Sequence, residues 1–78
     1  MTNLEKYKNA FIENFEVSED QLEDLVYQSV DMWDSVGHMG LIADLEDIFD
    51  ITLEMDDIVD FSGFVEGKNI LEKYDVSF

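Results

Sequence analysis

The chain has 78 residues, 46% of them hydrophobic, and carries 20 Asp and Glu against 4 Lys and Arg, for a formal net charge of −16. A surface this acidic repels nucleic acid and anionic membrane and attracts basic protein surfaces in a fast, salt-dependent way. With no cysteine there is no disulfide or thiolate metal site to propose, and thiol chemistry would have to arrive on a cofactor.

Asn3 to Phe15 reads as a helix. Leu4, Tyr7, Phe11 and Phe15 recur at three- and four-residue steps, and Ala10 and Ile12 widen the stripe. Glu16 to Trp33 has no sustained period, and Val17, Leu22, Leu25, Val26, Val30 and Trp33 are scattered among acids. It reads as a long ordered loop with a short helical turn near Asp20 to Leu25. Loops of this length in small domains are pinned by apolar anchors or serve function, and Trp33 and Leu25 are the candidate anchors. Ser35 to Phe49 carries the strongest helical pattern, with Leu41, Ile42, Leu45, Ile48 and Phe49 as its core stripe. Asp50 to Leu53 looks extended but is too short to build a sheet. Asp56 to Phe61 fits a short helix with Ile58, Val59 and Phe61 inward. A last helix is expected from Gly63 to about Tyr74, capped by Ser62 and burying Phe64, Leu71 and Tyr74 with help from Val65 and Ile70. These elements predict one all-α domain over residues 1–78. It is a small four-helix bundle, three helices longer and one short, with a long loop between the first and second. Its core is thin, and its stability should be on the order of 5 kcal/mol. No apolar run reaches membrane-spanning length and the first residues lack a signal peptide's layout, so a cytoplasmic location is expected.

The chemistry concentrates before the central helix. Asp34 can cap it, which puts Ser35 on the first turn, where backbone N–H groups lack helical partners. The positive end of the helix dipole favours an anion there, so a phosphate esterified to Ser35 would be held. Asp-Ser alone is an ordinary helix start; the surrounding layout makes it specific. The Asp34-Ser35-Val36 step, Leu45-Glu46-Asp47-Ile48-Phe49-Asp50-Ile51 downstream, and Met55-Asp56-Asp57-Ile58 together resemble the acyl carrier protein family. There an Asp-Ser-Leu serine carries phosphopantetheine. The likeness runs from about Leu4 to Tyr74. The chain departs from the family pattern at Met32, often Gly, and at Val36, commonly Leu. It departs also at Gly37 and Gly40, where acids read by partner enzymes often stand.

The resemblance implies that a phosphopantetheinyl transferase moves the arm from coenzyme A to Ser35. The monomeric protein then carries acyl or aminoacyl thioesters between enzymes with basic docking patches, and catalyses nothing itself. It implies partner docking through Val36, Met39 and Ala43 as an apolar strip, with Asp34, Glu46 and Asp47 as the acids. An acidic helical face is also what plain solvation produces, and Met39 also suits core filling. Leu41, Leu45, Ile58 and Phe61 line an expected acyl shelter between the second and third helices, or are plain core. Gly37 and Gly40 signal either a partner surface for a specialised pathway, rather than bulk fatty-acid synthesis, or the close approach of another backbone. His38 lies three residues after Ser35, on the same face, but no third residue or oxyanion arrangement completes a catalytic set. No window has the ligand order of a calcium-binding EF-hand loop; Asp56 and Asp57 offer loose cation binding at most. The reading from a different class is an acidic interaction protein that blocks a basic site by mimicking nucleic acid. It explains the charge and gives Ser35 no role.

Overall fold

The computed structural model describes residues 1–78 and is all-α, with four α-helices, one 3-10 helix and no strands. No helix is long and apolar enough to cross a membrane. Helix α1 spans Asn3–Phe15, the 3-10 helix Glu19–Asp24, α2 Ser35–Phe49, α3 Met55–Asp60 and α4 Phe64–Glu72.

Local chemistry sets the first boundaries. The Thr2 hydroxyl accepts from the Glu5 backbone N–H while the Glu5 carboxylate accepts from the Thr2 N–H, each at 3.1 Å. This reciprocal capping box starts α1. The Thr2 N–H and the Thr2 hydroxyl both donate to the Glu5 carboxylate and hold it below its ordinary range. Glu16 ends α1 in a left-handed conformation, φ 54°, and Asp50 ends α2 likewise, φ 53°. Both are short-turn exits made without glycine.

The core is wholly hydrophobic and rich in aromatic rings. Tyr7, Phe11 and Phe15 of α1 are buried, as their spacing predicts. Phe15 stacks on Trp33 with ring centroids 4.9 Å apart, and Phe11 meets Trp33 and Phe64 edge-on. Trp33 is 0% exposed and ties the long loop to α1; Leu25 anchors its middle. Truncating such a ring to Ala costs about 3–5 kcal/mol. Tyr7 is buried, and its hydroxyl donates to the Phe64 carbonyl at 2.7 Å. Burial raises its phenol well above the ordinary value.

The loop docks on the entry to α4. The Tyr27 N–H donates to the Ser62 carbonyl at 2.8 Å and the Phe64 N–H donates to the Leu25 carbonyl at 2.9 Å. This contact corrects the expected cap. Gly63, not Ser62, is the N-cap of α4, with no side-chain bond, because loop backbone satisfies the helix start instead. The inward faces need correction too. Ile48, Val59 and Val65 are exposed and Tyr74 is only half-buried. α3 buries none of its own residues; Phe61, just past its end, is buried.

Candidate functional site

Asp34 caps α2 as expected. Its backbone is extended and its Oδ1 accepts from the Gly37 N–H at 2.8 Å. The first bond of the helix runs from the His38 N–H to the Asp34 carbonyl at 2.8 Å. The N–H groups of Ser35 and Val36 precede that bond and have no partner within the helix. Ser35 is exposed, so its hydroxyl stands at the positive end of a 15-residue helix.

Gly37 makes this turn possible. A Cβ there would overlap the Met32 carbonyl oxygen and press on the Phe15 ring. The reading of close backbone approach therefore applies at Gly37. Gly40 differs, because a Cβ would meet only the Asn14 side-chain oxygen at 3.5 Å, ordinary contact.

His38 braces the same region. The Trp33 indole N–H donates to His38 Nδ1 at 2.9 Å, and His38 Nε2 lies 2.8 Å from the Ile58 carbonyl. An indole only donates, so Nδ1 carries no proton and Nε2–H donates to Ile58. This is the neutral ring, with both nitrogens engaged away from Ser35. The i, i+3 spacing puts the two residues near one another without linking them. The bridge joins residues 20 apart along the chain, and no local pattern in the sequence announces it.

A groove of about 340 Å³ opens beside Ser35. Ser35 and Met39 come from α2, Met55, Ile58 and Val59 from α3, and Phe61 from the segment beyond. No Asp, Glu or Lys is among its lining residues, although the chain has 20 acidic residues. The structure separates the four residues that the sequence left as either shelter lining or plain core. Ile58 and Phe61 contribute, whereas Leu41 and Leu45 are buried in the core.

Val36 is 79% and Met39 53% exposed, and Ala43 is exposed beside them. Met39 is thus not core filler. Glu46 is half-buried, and its carboxylate accepts from the Leu53 N–H at 2.8 Å, bracing the segment after α2. Asp47 lines a different hollow, between α1 and α2, together with Lys6, Glu13 and Asp44. At 3.6 residues per turn, Val36, Met39, Ala43, Glu46 and Asp47 fall within an arc of about 100° on α2, opposite its buried side. Val36 and Met39 lie at the Ser35 end of that face, and Glu46 and Asp47 lie toward its far end, each also engaged with a neighbouring segment. Compared with protein-family models, curated proteins and solved structures, the chain matches none.

Proposed function

We propose that this protein is an acyl carrier. A phosphopantetheinyl transferase directs the Ser35 hydroxyl onto the pantetheine phosphate of coenzyme A, breaking the pyrophosphate bond and releasing the adenosine bisphosphate half. The arm's thiol then holds an acyl group as a thioester. The observation that carries the reading is Ser35 itself. It is exposed on the first turn of a helix capped by Asp34, at the rim of an apolar groove. The unpaired N–H groups of that turn suit the linking phosphate, and the exposed hydroxyl suits a transferase's approach.

In this reading the four α-helices form the carrier's bundle, and the protein works as a cytoplasmic monomer. The groove lining favours an acyl over a charged aminoacyl cargo, because an ammonium there would find no carboxylate among the lining residues. Val36 and Met39 serve as the apolar contact with partner enzymes, whose basic patches are drawn by the net charge of −16. Such encounters are weak and fast, as a shuttle requires. Glycine at 40 in place of an acid fits partners of a specialised pathway.

The test is an intact-mass measurement after incubation with coenzyme A and a promiscuous transferase. The proposal expects a gain of one phosphopantetheine, abolished by Ser35→Ala. No gain in the folded wild-type protein would overturn it and leave the acidic interaction reading as the better account of the charge.

A further inference from the structure

α3 is a strap between two anchors. None of its own residues is buried, whereas Leu53 before it and Phe61 after it are. Core packing therefore fixes its ends, and polar contacts hold its middle, where only Ile58 rests half-buried on the core. Toward α2, the Ile58 carbonyl accepts from His38 Nε2. Toward the end of α4, the Asp57 carboxylate accepts from Lys73 Nζ at 2.6 Å on one oxygen and from the Tyr74 hydroxyl at 2.5 Å on the other. The same hydroxyl oxygen accepts from the Glu54 N–H at 3.0 Å, at the residue that opens α3. The Asp57 side chain is 13% exposed and that of Lys73 60%, so the carboxylate is sheltered by its partners while the ion pair stays at the surface. Met55, Ile58 and Val59 of the same helix line the groove across from Ser35 and Met39.

We infer that Asp57, Lys73 and Tyr74 form a latch that sets how far α3 stands from α2, and hence how open the groove beside Ser35 is. With the latch closed, α3 is held against the end of α4 and the groove keeps its present width. With it released, the strap pivots on Leu53 and Phe61, restrained in its middle by the His38 bond and by half-buried Ile58 against the core. Segments with little burial and few ties open at low free energy without unfolding the rest. The inference concerns the groove and holds whatever is attached to Ser35.

Native-state hydrogen exchange on the full chain tests it, comparing wild type with Asp57→Asn and Tyr74→Phe. Lys73→Met, at an exposed position, repeats the test without touching the Tyr74 ring. Loss of a charge-assisted bond should speed exchange at the Ile58 and Val59 amides about tenfold, with Leu41 and Leu45 in α2 unchanged. Nile red, a neutral apolar probe, should bind the variants several-fold more tightly. Wild-type exchange in α3 would overturn the inference. So would equal acceleration in α2 and α4, which makes the cluster a contributor to global stability only, or Nile red binding that stays at the wild-type level.

Discussion

Gly37 and Gly40 lie three residues apart on α2 and differ in what a methyl group would meet. At Gly37 the Met32 carbonyl must move, so Gly37→Ala should destabilise the fold by about 1–3 kcal/mol, as overpacking does. At Gly40 a methyl group meets only ordinary contact with Asn14, and Gly40→Ala should stabilise by up to about 1 kcal/mol through reduced chain entropy. Denaturant melts of the two variants check both signs. The sequence leaves these glycines indistinguishable, because the carbonyl that decides between them arrives from the loop. Ser35 and its Asp34 cap were legible, since both follow from neighbours three residues away. The partner of His38 was not. Replacing His38 with Leu strands the Trp33 indole N–H, and should cost about 1–3 kcal/mol. Trp33 is the only tryptophan, so its fluorescence follows unfolding in that variant directly; unchanged stability would dissolve the brace.

Among the helices, α1 and α2 follow the sequence because periodicity and capping are local. The bounds of both helices match their apolar stripes. α4 starts one residue later than its pattern suggests because the Leu25 carbonyl, distant in sequence, takes the Phe64 N–H. α3 reads correctly as a short helix, and its inward face is partly right: half-buried Ile58 packs against the core as well as lining the groove, whereas Val59 is exposed. A six-residue helix is too short for its period to fix which apolar side chains turn inward. Its latch has a definite pH dependence. Hydrogen bonds first from Lys73 and then from Tyr74 hold the Asp57 carboxyl below its ordinary value, while those bonds raise both partners. The neighbouring acids Asp60 and Glu54 act on Lys73 and Tyr74 in the same raising sense. A depressed carboxylate contributes stability above its unfolded value and loses it as pH falls through the folded one. Protection of α3 should therefore be level from neutral pH down to the ordinary aspartate range. It should fall below that range, before the α2 core exchanges. Amide exchange followed along a pH series, corrected for the intrinsic rate, checks the order of loss.

Across the whole molecule, charge opposes compactness. Acidic residues outnumber basic ones 20 to 4, and the ion pairs are Lys8 with Glu19 and Lys73 with Asp57. Most carboxylates thus face one another across water. Raising ionic strength from about 10 mM to about 150 mM shortens the screening length from roughly 30 to roughly 8 Å. Relieving even about 1 kcal/mol of repulsion should raise the Tm by about 4–8 °C in a domain of this size. A Tm that stays level or falls with salt would show the repulsion to be negligible. The all-α class and the acidic surface were legible from composition and patterning. The groove was only partly so, because its lining comes from α2, α3 and the segments around them, and no single stretch of chain displays it. Carrier function rests on one oxygen among the hydroxyls of Ser18, Ser29, Ser35, Ser62 and Ser77. Tandem mass spectrometry of the transferase-treated protein localises any phosphopantetheine to a single peptide and residue. The expected result is an arm on Ser35 alone; an arm on any other serine, or on none, contradicts the carrier proposal.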